Sequence, residues 1–118
     1  LDGAPVLLAL HHPPFKSGIQ FMDEIGLQGV RHFHKVLKGY DGEVRIICGH
    51  IHNLMVMNVA GHIALSTPAP SSSFAYNLQD DALKGFMKIE DGCLLHRWSN
   101  GFQSVRISTY KGEGPFPF

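Results

Sequence analysis

Hydrophobic and polar positions divide the chain into two textures. PVLLAL at 5–10 is continuously apolar, the mark of a strand covered on both faces. Pro13-Pro14, which lack amide hydrogens and fix φ, prevent it from continuing as strand or helix. A loop is expected through FKSGIQFMDEIG. Leu27, Val30, Phe33/His34 and Leu37 then recur at helical spacing and Gly39 offers a stop, so the pattern predicts a helix over 27–38. EVRIICG at 43–49 is a second buried-type strand, and strand, helix, strand in that order predicts a parallel pair with a right-handed crossover.

From residue 53 the runs become shorter and alternate: LMVMNV, HIALS, KGFMKIE, CLLHRWS and FQSVRIS. Ala60-Gly61, Asp91-Gly92 and Asn100-Gly101 separate them, pairs suited to tight hairpin turns, so this half is expected to form an antiparallel meander. TPAPSSSFAYNLQDDAL is too long for a simple turn, and loops of that kind are often functional or flexible. The closing KGEGPFPF is expected to be an extended arm that packs on another surface.

A chain of 118 residues suits one domain with its own core. With 44% apolar and 17% charged residues, and ten Lys plus Arg against ten Asp plus Glu, neither disorder nor a nucleic-acid partner is expected. No apolar stretch approaches the ~18 residues of a membrane span, and the start lacks the basic region of a signal peptide. The chain therefore reads as soluble and cytoplasmic, with no membrane partner. Cys48 and Cys93 cannot form a disulfide framework and are expected to be free thiols on strands. Leu1 stands four residues from a buried-type strand, which reads as a cut in a longer chain.

Eight histidines are the outlier in this composition. His11 and His12 follow the first strand, and His50 and His52 follow the second within CGHIHN. In a parallel pair both sets lie at the carboxyl edge, where open α/β sheets bind ligands. In an extended chain residues two apart face one side about 6.5–7 Å apart, so His50 and His52 would present both imidazoles to one region. Such a pair suits two metal ions separated by about 3.5–4 Å. Pro13 pushes His12 to extended geometry, so His11 and His12 should point apart and at most one joins a common site. His32 and His34 on the helix are expected to be solvated or interfacial, and His62 and His96 to pack in the meander. No spacing singles out Asp23, Asp41, Asp80 or Asp81 as ligands, and Trp98 with Phe102 reads as packing beside a turn.

LLALHHPPF, then GIQFMD, a helix and RIICGHIH, together resemble the carboxyl-terminal half of the calcineurin-like metallophosphoesterases. GIQFMD narrows the resemblance to the bacterial branch of class III cyclic-nucleotide phosphodiesterases and glycerophosphodiesterases, and STPAPSSSF and GPFPF extend it over nearly the whole chain. It implies an α/β fold, the carboxyl-terminal half of a four-layer α/β/β/α sandwich: a βαβ unit followed by an antiparallel β meander. Residues 1–118 would be the carboxyl-terminal part of a single metallophosphoesterase domain. The resemblance also implies two divalent metal ions, with His11 and His50 ligating the second and His52 the first, while His12 matches a non-ligand position. Imidazole ligands suit iron, manganese, zinc or cobalt better than calcium. The implied activity is hydrolysis of a small phosphodiester, a cyclic nucleotide or a glycerophosphodiester, by a hydroxide that the metal pair activates.

The family's Asp-x-His, Gly-Asp-x-x-Asp and Gly-Asn-His motifs have no counterpart in these residues. The missing amino-terminal half would supply the other ligands, so this piece is expected to be inactive alone. A sheet edge left open by that absence would favour pairing with itself as a homo-oligomer, swapping or aggregation. The competing expectation is a non-catalytic metal-binding or oligomerisation module, in which the histidines are vestigial or hold one structural zinc.

Overall fold

The computed structural model describes residues 2–89, 92–109 and 112–117. The two continuous apolar runs form β1 (Val6–Leu10) and β2 (Val44–Cys48), paired in parallel from Val6↔Val44 to Leu10↔Cys48. Both strands end in step. The Gly49 amide donates to the His11 carbonyl at 3.0 Å and carries the pairing just past the strands.

Two helices lie between these strands, α1 (Gln20–Glu24) and α2 (Val30–Lys38). The helix expected over 27–38 starts at Val30 because Gly29, its N-cap, is left-handed at φ 74, which a helix cannot propagate through. α1 falls inside the expected loop. The Ile19 carbonyl accepts from the amides of Met22 and Asp23, and five residues are too few to show a helical period.

β3 (Met55–Val59) and β4 (His62–Ser66) form a hairpin whose two turn residues, Ala60 and Gly61, both have positive φ, as a primed turn requires. The expected meander does not form. β4 instead pairs in parallel with β2, completing a sheet of order β1-β2-β4-β3. Burial explains the order: Ala64, Leu65 and Ser66 of β4 are buried and suit an inner position, whereas Val56, Met57 and Asn58 of β3 are exposed and suit an edge. β5 (Ser73–Phe74) pairs with β6 (Phe86–Met87), and β7 (Cys93–Trp98) pairs with β8 (Phe102–Ile107) around the expected Asn100-Gly101 turn. These are two separate two-stranded sheets. Asp91 of the expected Asp91-Gly92 turn, Leu1 at the expected cut, and Lys111 and Phe118 of the expected arm lie outside the described residues. Residues 112–117 of that arm are exposed.

Val44, Ile46, Val59 and Ala64 pack with Leu37 of α2 on one face of the four-stranded sheet. The other face keeps Leu7, Val56 and Ile63 between 45% and 61% exposed. The β7–β8 hairpin is tied to this sheet where Arg45 donates from Nη1 to Ser104 Oγ at 2.8 Å and from Nη2 to the Phe102 carbonyl at 3.2 Å. The shape is correspondingly flat. Its radius of gyration is 16.2 Å, where a compact chain of this length has about 13.5 Å. The described residues thus supply a mixed α/β unit with one helix layer on one sheet. Among them, no helix is long and apolar enough to cross a membrane. Cys48 and Cys93 are free, and burial pushes the Cys48 thiol up to about 12, which keeps it inert.

Ile46 is fully buried at the centre of this sheet. Ile46→Ala should lower unfolding free energy by about 2–5 kcal/mol in urea titrations. Val56→Ala on the exposed edge strand should cost less than about 0.5 kcal/mol, and equal costs would contradict this placement of the core.

Candidate metal centre

Beyond β1 the chain bends at His11 and His12 before Pro13. Beyond β2 it turns sharply: His50 and His52 have φ of 68° and 51°, a left-handed region seldom occupied by residues with a side chain. The Ile51 amide donates to the Gly49 carbonyl at 2.8 Å, and the Ile51 side chain, 1% exposed, is anchored against Ile19 and Met22. A buried isoleucine therefore pins the turn while the histidines flank it.

This geometry gathers His11, His12 and His50, with one ligand nitrogen of each lying within 4.8 Å of the others. Ring centroids are 5.2 Å apart for His11 and His50, 4.4 Å for His12 and His50, and 4.9 Å for His11 and His12. His12 joins the group because the chain bends there, so the alternation expected of an extended segment does not hold. His50 and His52 do not present their rings as two residues of a strand would, for the same reason. The His52 ring stacks on Phe74, centroids 4.8 Å apart, with its Nδ1 3.5 Å from Ser72 Oγ.

His50 is 9% exposed and its Nε2 donates to the Met22 carbonyl at 3.3 Å. Burial lowers its pKa; the Met22 bond opposes that, and the neighbouring His12, His11 and His52 add to it. The neutral ring so favoured is the form that ligates a metal. Three converging imidazoles, one of them shifted toward its neutral form, fit a divalent transition metal.

The loops around this group are braced by residues whose roles spacing did not reveal. His34, expected to be solvated or interfacial, bonds through Nε2 to the Pro14 carbonyl at 2.9 Å and ties α2 to the loop after His12. Asp23 holds the amides of Ser17 and Gly18. Ser73 Oγ donates to the His52 carbonyl at 3.2 Å and Asn53 Nδ2 to the Phe74 carbonyl at 3.2 Å, which fastens the long loop beside His52. His62 bonds the Leu37 carbonyl and His96 bonds Ser104, packing roles as expected. His32, Asp41, Asp80 and Asp81 are exposed, and Trp98 packs edge-on against Phe102.

A cavity of about 490 Å³ lies between Lys16–Glu24 and Ala75–Lys84. Phe21 lines it and meets Phe74 edge-on at 5.4 Å, and Phe74 in turn stacks on His52.

No family model matches the chain. It is 34% identical over 116 residues to the probable glycerophosphodiester phosphodiesterase GpdQ of Arcobacter nitrofigilis, a match covering 96% of the chain and 42% of that protein. It is 31% identical over 106 residues to a probable cyclic nucleotide phosphodiesterase of Colwellia psychrerythraea, covering 86% and 40%. The 3′,5′-cyclic adenosine monophosphate phosphodiesterase CpdA of Escherichia coli K12 is 31% identical over 68 residues, covering 58% and 25%. The chain thus spans less than half the length of each of these relatives.

His96 shares the lowered pKa of His50, by burial first and then the nearby Arg45. When a histidine pKa is lower in the folded state, the unfolded chain takes up protons that the folded chain refuses. The stability these two groups contribute is complete above the ordinary value of 6.5 and is lost as pH falls below it toward the folded pKa. With a chelator present, urea unfolding should show lower stability at about pH 5.5 than at about pH 7.5, and His50→Gln should shrink the difference. An undiminished difference in that variant would contradict the assignment.

Proposed function

This chain belongs to the bacterial phosphodiesterase branch of the calcineurin-like metallophosphoesterases, and from that premise we propose that it forms part of a metal-dependent phosphodiesterase. The observation that carries the proposal is the meeting of His11 and His50, 5.2 Å apart, where parallel β1 and β2 end together. In this reading His11 and His50 hold one divalent metal and His52 holds a second. The remaining ligands come from sequence outside these residues, and that remainder packs on the apolar part of the sheet face left exposed beside the β7–β8 hairpin to complete a four-layer sandwich.

Bound there, divalent metals of the iron, manganese, zinc or cobalt kind supply Lewis-acid stabilisation of phosphoryl oxygens and a water of lowered pKa. The chain's own residues position and shield. The Met22 carbonyl orients His50, Phe74 stacks on the His52 ring, and burial shifts His50 toward its neutral form. The neighbouring cavity has the size of small-molecule sites and takes an alcohol portion of the substrate, a glycerophosphodiester or a cyclic nucleotide.

One observation favours a second reading, a non-catalytic module with a single structural zinc: His12 lies with His11 and His50, whereas His52 is turned onto Phe74.

The whole protein containing this chain should hydrolyse bis(p-nitrophenyl) phosphate with manganese. His50→Ala should reduce that rate by about a hundredfold or more, given that even partners behind a metal ligand cost 10–100-fold. The 118-residue chain alone should show little turnover. Inactivity of the whole protein with manganese, iron, zinc and cobalt alike would sink the phosphodiesterase reading. Tight binding of one zinc that raises the melting temperature of such an inactive protein would establish the second.

A further inference from the structure

Asp23 is absent from the histidine group, yet it closes the turn that reaches it. Its Oδ1 accepts from the Ser17 amide and the Ser17 hydroxyl, both at 2.8 Å, and its Oδ2 accepts from the Gly18 amide at 2.9 Å. Ser17 Oγ accepts in turn from the Ile19 amide at 3.0 Å, and the Ile19 carbonyl accepts from Met22 and Asp23 at 2.9 and 3.0 Å. Residues 17–23 are thereby tied into one closed unit. Ile19 and Met22, 3% and 7% exposed, seat it against Ile51 in the turn that carries His50.

What this unit delivers is the Met22 carbonyl, 3.3 Å from His50 Nε2. A carbonyl only accepts, so Nε2 carries the ring hydrogen and the neutral ring keeps its lone pair on Nδ1. We propose that Asp23 is a positioning residue of the metal centre: by locking residues 17–23 it holds the Met22 carbonyl on His50 Nε2 and makes Nδ1 the ligating nitrogen. The inference rests on the reading of His50 as a metal ligand.

The test uses the ¹⁵N-labelled whole protein containing this chain, with zinc alone as the added metal. Two-bond ¹H–¹⁵N spectra, with His50 assigned by the signals that His50→Gln removes, report which nitrogen carries hydrogen, and calorimetry reports zinc affinity. The wild type should show His50 protonated on Nε2. Asp23→Ala should give mixed tautomers and zinc binding weaker by about 10–100-fold, the range for loss of partners behind a metal ligand. Asp23→Asn, which keeps Oδ1 for Ser17 but sets an amide donor against the Gly18 N–H, should fall between. If Asp23→Ala does not fold, Ser17→Ala carries the test, because it removes one donor from Asp23 and should weaken zinc binding by a smaller factor. An unchanged His50 tautomer with affinity within about twofold of wild type in the folded variants would overturn the role of Asp23. A wild-type ring protonated on Nδ1 would also overturn it. Absence of zinc binding by the wild-type whole protein would instead overturn the ligand reading itself, and neither readout depends on phosphodiester turnover.

Discussion

The parallel pairing of β1 with β2 is the constraint on which the rest depends. Its register, Leu10 against Cys48, ends both strands at the same level, and the Gly49 amide on the His11 carbonyl fixes the first residues beyond. A slip of one residue would turn each strand's side chains to the opposite face, removing Val44 and Ile46 from the core. Burial of those residues against α2 thus specifies the register, and the register specifies where His11 and His50 meet. Core and candidate site are consequences of one alignment.

The sheet brings the histidines close, but the loops decide how they face. His50 and His52 each occupy a left-handed backbone region, a strain of about 1–3 kcal/mol apiece. Burial of Ile51 between them, against Ile19 and Met22, offsets it. The loop carrying α1 supplies a carbonyl to His50, and the long loop after β4 supplies Phe74 to His52. These two loops also enclose the cavity, so the segments that orient the imidazoles are the ones that would meet a substrate.

Legibility of the fold in the sequence followed the strength of each local signal. β1 and β2 were readable because their short, mostly apolar runs are bounded by Pro13-Pro14 and Gly49, although the face carrying Leu7 and Ile63 is exposed and not covered as expected; the turns at Ala60-Gly61 and Asn100-Gly101 were readable because positive φ selects such residues. The position of β4 beside β2 was not, since spacing shows that HIALS and LMVMNV form a hairpin but not which member enters the sheet. The same distinction holds at the site. The ends of two apolar strands pointed to the pairs His11/His12 and His50/His52, and the family resemblance chose His11 from the first, while the gathering of His12 with His11 and the stacking of His52 depend on bends that a two-residue spacing does not encode. Asp23 acts through backbone amides of Ser17 and Gly18, contacts between residues five and six apart that leave no periodic trace.

The central claim, that the ends of β1 and β2 deliver His11 and His50 to one metal ion, is tested most directly by anomalous diffraction from crystals of the whole protein containing this chain, soaked in zinc. The account predicts a peak about 2.0–2.1 Å from a nitrogen of His11 and from one of His50. A peak at a site that excludes His50, or no peak among the histidines, would contradict it.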